Sequence, residues 1–112
     1  MKEIYYSVEW KANPARQHLF GWGKIFVYLG SDDVDLRQIS SAIIHSIKQS
    51  FPDWELQVLL DEPKYLQLRL RDRGTGMAGG AMREHTKNVA REVKNLVKTL
   101  IKQMGFKPVL GE

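Results

Sequence analysis

Two apolar runs separated by a four-residue turn constrain the fold of this chain most strongly. Their apolar positions, which alternate with polar residues, are Trp54, Leu56, Val58 and Leu60 in the first run and Leu66, Leu68 and Leu70 in the second. A period of two buries one face of a strand and exposes the other. The segment Asp61-Glu62-Pro63-Lys64 between the runs is typical of a tight turn. This stretch therefore predicts an antiparallel hairpin.

A second pair of strands is predicted nearer the start. Alternating apolar residues, namely Ile4, Tyr6, Val8 and Trp10, predict the first of these strands. The second is predicted at about residues 24–29. The stretch 11–21, which contains Pro14, has no clear periodicity and is predicted to be a long loop.

Two helices are predicted, one after each pair of strands. Ser31, Asp32 and Asp33 offer caps for a helix at about residues 34–50, and Pro52 lies beyond its end. A longer helix is predicted at about residues 81–104 and is closed by Gly105. The tail, which holds Pro108, Val109 and Leu110, either adds a short strand or frays.

This order predicts an α+β two-layer sandwich, ββαββα, with a four-stranded antiparallel sheet and two helices on one face. A length of 112 residues with 43% hydrophobic residues indicates a single domain spanning residues 1–112. No apolar stretch approaches the roughly 20 residues that span a bilayer, and no secretory leader is evident, so we expect a cytoplasmic protein without a membrane partner.

Charge is distributed unevenly along the chain. Residues 1–63 carry six Lys or Arg against nine Asp or Glu, whereas residues 64–112 carry eleven against four. The halves therefore have net charges of −3 and +7. A basic half suits an anionic partner such as nucleic acid or an acidic protein surface.

The second predicted helix carries most of this positive charge as one stripe. At 100° per residue, six cations fall within an arc of about 100°, namely Arg83, Lys87, Arg91, Lys94, Lys98 and Lys102. The predicted apolar face, made of Val89, Val93, Leu96, Leu100 and Met104, centres about 140° away. The stripe is about 28 Å long, enough to meet several phosphates. A solvated lysine-rich face is the alternative.

A glycine-rich segment precedes this helix. Its glycines Gly74, Gly76 and Gly79 have the spacing GxGxxG, which resembles the dinucleotide-binding fingerprint. The preceding strand alternates with Arg69 and Arg71, and there is no room for a βαβαβ unit, so we do not predict that fold. Exposed N–H groups, a helix N-terminus and the flanking Arg73 and Arg83 favour a bound anion, and a flexible loop is the alternative.

The sheet face opposite the helices is predicted to combine aromatic and basic residues. If Ile25, Val27 and Leu29 point into the core, the outward residues are Tyr5, Ser7, Trp22, Lys24, Phe26, Tyr28, Tyr65, Gln67, Arg69 and Arg71. Sheet-based single-strand binders stack bases on such rings and pair phosphates with such cations. Burial of this face by a second copy, or by the loop 11–22, is the competing explanation.

No catalytic constellation is evident. The chain has no cysteine, and His18, His45 and His85 do not have a metal-ligand spacing. Ser41 and His45 lie four residues apart without an orienting acid. We therefore expect no catalytic residues, no metal, no cofactor and no enzymatic activity.

The leading hypothesis is a small non-enzymatic protein that binds DNA or RNA. Its predicted phosphate contacts are Arg69, Arg71, Arg73, Arg83, Lys87, Arg91, Lys94, Lys98 and Lys102, and its predicted stacking or interface residues are Trp22, Phe26, Tyr28 and Tyr65. The stripe and the outer sheet face are expected on opposite sides, so the stripe is preferred if only one surface binds.

Two alternatives remain open. The first is a protein-interaction module, such as a small inhibitor, immunity protein or assembly adaptor of phage or mobile-element type, that docks on an acidic partner. In that case a homodimer through the outer sheet face is possible. The second alternative is a binder of a small phosphorylated ligand at the glycine-rich loop.

Overall fold

The computed structural model of the chain describes residues 1–13, 21–73 and 79–111, which form a five-stranded sheet and two α-helices. The strands are β1 (Glu3–Asn13), β2 (Trp22–Gly30), β3 (Trp54–Asp61), β4 (Tyr65–Asp72) and β5 (Lys107–Leu110). The helices are α1 (Ser40–Ser50) and α2 (Gly79–Gln103), and a 3₁₀ helix (Leu36–Gln38) precedes α1. The strand order in the sheet is β3-β4-β2-β1-β5.

The α+β class is confirmed, but the predicted four-stranded antiparallel sheet and the order ββαββα are wrong in one respect. β5 adds a fifth strand and lies parallel to β1, so the sheet is mixed. The other neighbouring strands pair antiparallel, as predicted. The sequence does not distinguish a strand from a frayed tail here, because a four-residue strand containing a proline shows little periodicity.

The predicted hairpin of β3 and β4 is confirmed, including its turn. The Glu62 backbone N–H donates to the Tyr65 carbonyl at 2.9 Å and closes the turn. Trp54 is paired with Asp72 and Leu56 with Leu70, which places the apolar positions of the two strands on one face. A register shift at Val58–Leu60 interrupts the alternation near the turn.

The first helical segment is shorter than predicted. Instead of a continuous helix from about residue 34, a 3₁₀ turn ends at Ile39, where φ is −116°, and α1 follows. Asp35 caps the 3₁₀ turn by accepting from the Arg37 N–H at 3.1 Å and also pairs with the Arg37 guanidinium at 3.0 Å. That side-chain hydrogen bond holds the pKa of Asp35 below its ordinary value.

α2 ends at Gln103 and is closed by Gly105, as the sequence predicts, and this ending leads directly into β5. Gly105 has φ +87°, its N–H donates to the Lys102 carbonyl, and the Phe106 N–H donates to the Ile101 carbonyl. This pair of bonds is a Schellman motif, which reverses the chain direction at the helix end. The Lys107 N–H then donates to the Lys2 carbonyl at 2.8 Å, which begins the pairing with β1.

One hydrophobic cluster joins both helices to the inward face of the sheet. Its fully buried members include Ile4, Ile25, Val27, Leu66 and Leu68 from the strands and Ile43, Ile47, Val93, Val97 and Ile101 from the helices. The predicted apolar face of α2 was partly misplaced: Val89 and Val93 are buried, but Leu96, Leu100 and Met104 are half-buried. Val97 and Ile101 complete the buried row instead, so the core side of the helix lies closer to the basic stripe than expected.

Candidate nucleic-acid interface

The basic stripe of α2 is presented to solvent along one flank of the helix. Five of its members, Arg83, Lys87, Arg91, Lys98 and Lys102, are exposed, and Lys94 is half-buried. At 100° per residue, the stripe centres about 110° from the buried row of the helix. Within residues 1–13, 21–73 and 79–111, no carboxylate lies within 4.0 Å of these six cations. Their charge is therefore available to an external anion.

The stripe lies beside strand β1 rather than on top of the sandwich. The Arg83 guanidinium carbon is 5.5 Å from the centre of the Trp10 ring. Lys87, Arg91 and Lys94 line a groove whose opposite wall is formed by Val8 and Trp10. Both apolar residues of that wall are half-buried and belong to the inward face of β1. The stripe thus overhangs the edge where the helix layer meets the sheet.

This groove has a volume of about 240 Å³ and lies at the N-terminal half of the stripe. Ala90 contributes to its floor, so the side chains that line it are apolar at the base and cationic at the rim. Arg83 and Trp10 form a cation–π contact near the groove. The groove therefore combines an aromatic ring, with Arg83 over one of its faces, and charges that attract anions.

A close approach between α2 and the sheet fixes the position of the stripe. Gly23 of β2 is buried, and a Cβ atom at this position would overlap the Thr86 hydroxyl. Thr86 is fully buried and donates to the Met82 carbonyl at 2.7 Å. The absence of a side chain at Gly23 lets the helix backbone lie near the strand, while Lys87 next to Thr86 stays exposed.

The cations of β4 are placed on a different surface. Arg69 and Arg71 lie on the sheet face opposite the helices, and each is held by a neighbour on β3. Arg71 pairs with Glu55 at 3.3 Å, and Arg69 donates to Gln57. These contacts orient both guanidinium groups, but they also occupy part of their donor capacity.

Arg73 lies apart from both groups of cations. Its backbone N–H donates to the Asp53 carbonyl at 3.1 Å. Its side chain lines a second groove, of about 350 Å³, together with Lys48, Trp54 and Glu55. No residue of the stripe lines this groove. The glycine segment 74–78 and the loop 14–20 lie outside the described residues.

The outer sheet face is aromatic and basic, as predicted, and has no described element covering it. The rings of Phe26 and Tyr28 are stacked with centroids 6.5 Å apart and an interplanar angle of 12°. The Lys24 ammonium lies 4.7 Å from the Trp22 ring centre, and the Lys11 ammonium lies 5.7 Å from the centre of Phe26. The face therefore has paired rings with cations above them.

Tyrosines surround a shallow pocket at one end of this face. Tyr5 and Tyr65 lie on either side of Gly30, and Tyr28 precedes it on β2. The pKa of Tyr28 lies above its ordinary value because its phenol is partly buried and because Glu9 lies nearby. The pKa of Tyr5 is also raised, since its hydroxyl donates to Glu3 at 3.2 Å.

The structure thus divides the predicted site residues among three places. All six stripe cations lie together on α2. Arg69, Arg71, Trp22, Phe26, Tyr28 and Tyr65 lie on the opposite face of the sheet, and Arg73 lines a separate groove. Trp10 was assigned to the core, and its place beside the stripe was not predicted. No local sequence signal distinguishes it, because its surroundings depend on the pairing of β5, which ends four residues before Trp10.

Comparisons with protein-family models, with curated proteins and with solved structures find no match to this chain. Neither helix in the described part of the chain combines the length and the apolar character needed to cross a membrane. Among the same residues, no three His, Asp or Glu side chains are grouped so that they could hold a metal ion.

Proposed function

We propose that this protein binds nucleic acid through the basic stripe of α2 and is not an enzyme. The observation that carries the proposal is the set of six cations along one flank of a 25-residue helix, none of which has a carboxylate of the described residues within 4.0 Å. Surface helices usually mix charges in i,i+4 pairs, whereas this flank carries six cations and one carboxylate, Glu84, at its edge. A polyanion with regularly spaced charges matches such a surface.

Phosphate binding at the stripe draws its free energy largely from the release of condensed counterions. Each neutralised phosphate contributes about 0.7 to the slope of log K against log salt for a single strand and about 0.9 for B-form DNA. If all six cations contact phosphates, we expect a slope of about −4 to −5. The affinity should therefore fall steeply between low and moderate salt.

An acidic protein surface is the second candidate partner. The cores of protein–protein interfaces are depleted in lysine and built around aromatic or aliphatic anchors. Four of the six stripe residues are lysines, and the exposed side chains along its length are charged. This composition favours phosphates over a protein partner.

The test is fluorescence anisotropy with short single-stranded and duplex oligonucleotides at about 50 mM and about 200 mM salt. The variant replaces Lys87, Arg91, Lys94 and Lys98 with Gln. We expect it to reduce the salt slope by about 3 and to weaken binding to both ligands. The control replaces four other exposed lysines, Lys2, Lys48, Lys64 and Lys107, with Gln, which changes the net charge by the same amount.

Three outcomes would contradict the proposal, the third from a competition with polyglutamate. Binding to neither oligonucleotide at the lower salt concentration would exclude a nucleic-acid ligand for this stripe. Equal losses in the stripe variant and in the control variant would show that net charge, and not the stripe, determines the affinity. Tighter binding to polyglutamate than to either oligonucleotide would favour the acidic protein partner.

A further inference from the structure

We infer that the nucleic acid bound by the stripe is single-stranded and that one unpaired base enters the groove between β1 and α2 and stacks on Trp10. This inference rests on the proposed function, because it concerns the same cations. It adds the strand form of the ligand and a base-contacting residue that lies outside the aromatic set of the outer sheet face.

The first step is the position of the groove within the stripe. Lys87, Arg91 and Lys94 form its rim, and Arg83 lies over one face of the Trp10 ring one turn earlier. In this arrangement the base takes the place of the Arg83 guanidinium on the ring as Arg83 turns to a phosphate. A backbone that follows the stripe from Arg83 to Lys98 therefore passes the groove mouth. The bases of that strand are then held close to an apolar recess and an aromatic ring.

The second step is access from the side of the sheet. β5 pairs with β1 at Glu3–Tyr6, and the Gly111 N–H donates to the Tyr6 carbonyl at 2.7 Å. Beyond Tyr6, no strand of the described part of the chain pairs with this edge of β1. Val8 and Trp10 lie on this open stretch, so the groove is not closed by a neighbouring strand.

The third step is the strand form. A recess of about 240 Å³ admits a small flat ring system and not a helical rod. Bases in a duplex are stacked inside it and reach such a recess only after unpairing, which costs free energy. Bases in a single strand are free to stack on an aromatic side chain. The groove therefore discriminates in favour of single strands.

The outer sheet face is the competing place for base stacking. Its paired rings, Phe26 and Tyr28, lie on the other side of the sheet from α2. The nearest guanidinium groups there are held by Gln57 and Glu55. A strand whose phosphates lie along α2 has Trp10, and not Phe26, beside its bases.

The experiment compares Trp10→Leu with Phe26→Leu, two substitutions that each replace a half-buried aromatic ring with an aliphatic side chain. The ligands are oligothymidylate, an abasic oligomer with the same number of phosphates, and a duplex of equal length. We expect the unaltered protein to bind oligothymidylate more tightly than the duplex. Trp10→Leu should weaken oligothymidylate binding about 10-fold while leaving duplex binding and the salt slope unchanged.

The remaining arms separate stacking from folding. Trp10→Phe keeps a ring in the groove and should retain most of the affinity for oligothymidylate. Phe26→Leu should leave the affinity for oligothymidylate unchanged. Trp10→Leu should bind oligothymidylate and the abasic oligomer equally, because the stacking base has lost its partner. The abasic oligomer tests the unaltered protein directly, so the result stands even if Trp10→Leu does not fold.

The outcomes distinguish this inference from the proposed function. Loss of affinity in Phe26→Leu but not in Trp10→Leu would move base stacking to the outer face. A preference for the duplex, or equal binding of oligothymidylate and the abasic oligomer by the unaltered protein, would overturn the inference while leaving phosphate binding intact. Absence of binding to every oligonucleotide would remove the proposed function itself.

Discussion

Gly23 of β2 packs directly against α2, and its lack of a side chain is a packing requirement. A methyl group at this position would overlap the Thr86 hydroxyl, which is itself fully buried. We expect Gly23→Ala to lower the free energy of unfolding by about 1 to 3 kcal/mol through overpacking, measured by urea denaturation. Gly30→Ala is the matched control. The nearest heavy atom to its added methyl group is 3.7 Å away, so a loss of similar size there would contradict the packing explanation.

Tyr28 gives a residue-scale prediction for pH. Partial burial of the phenol, followed by the nearby Glu9, raises its pKa above the ordinary value of 10.0. The folded state therefore favours the neutral phenol, and this contribution to stability is fully present below about pH 10 and is lost as the pH rises through the folded pKa. In an ultraviolet titration, Tyr28→Phe should remove a tyrosine that ionises at a higher pH than an ordinary tyrosine does. Glu9→Gln should lower the pKa of Tyr28 only in part, because burial is the larger cause. A drop to the ordinary value would assign the shift to Glu9 instead.

At the scale of elements, the end of α2 determines whether β5 can pair with β1. Gly105 has φ +87°, a region that costs an L-residue with a Cβ about 1 kcal/mol or more. We expect Gly105→Ala to lower the free energy of unfolding by about 1 kcal/mol, measured by thermal or urea unfolding. Gly105→Asn should cost less, because asparagine tolerates this conformation better. Equal losses for the two substitutions would indicate that the backbone conformation is not the cause.

The elements that could be predicted from the sequence are those whose signals are local. The hairpin of β3 and β4 carries both alternation and a turn within 19 residues, and the helix end at Gly105 is specified by one glycine. The 3₁₀ turn before α1 was not predicted, since Leu36, Ile39 and Ile43 also satisfy a continuous helical period. β5 depends on a partner strand about a hundred residues away, which no local pattern reveals.

In the candidate site, too, the residues with a local signal could be predicted and those placed by long-range packing could not. The six cations of the stripe were predicted together because helical spacing alone places them on one flank. Arg69 and Arg71, which are also predicted phosphate contacts, lie on the opposite face of the sheet, where strand alternation predicts them. Trp10 was missed because its surroundings depend on where α2 crosses β1 and where β5 ends. Those positions are set by tertiary packing.

At the scale of the whole molecule, the charge of the stripe predicts resistance to self-association at an open strand edge. No described strand pairs with the edge of β1 beyond Tyr6, and such edges invite pairing with another copy. A second copy docking there would bring two stripes together, and like charges oppose this. We expect the four-residue Gln variant of the stripe to associate at concentrations where the Lys2, Lys48, Lys64 and Lys107 control stays monomeric, measured by sedimentation velocity.

The possible homodimer through the outer sheet face gives a different result in the same experiment. If copies associate there, Trp22→Ala or Phe26→Ala should abolish the association, and the charge of the stripe should have little effect. Self-association that is equal in the stripe variant and the control would rule against protection by the stripe.

The parallel pairing of β1 with β5 also has a consequence for the order of folding. Lys107 pairs with Glu3, so the pairing of β1 with β5 closes a loop of more than a hundred residues. Closing this loop costs conformational entropy when the two strands pair. During synthesis, β1 leaves the ribosome long before β5. Until β5 emerges, Ile4 and Tyr6 lie on a strand whose edge has no partner. β1 pairs with β2, and β3 with β4, without any contribution from β5, so docking of β5 is expected to be the last step of folding. Until it docks, this edge of β1 is unpaired and accessible to chaperones.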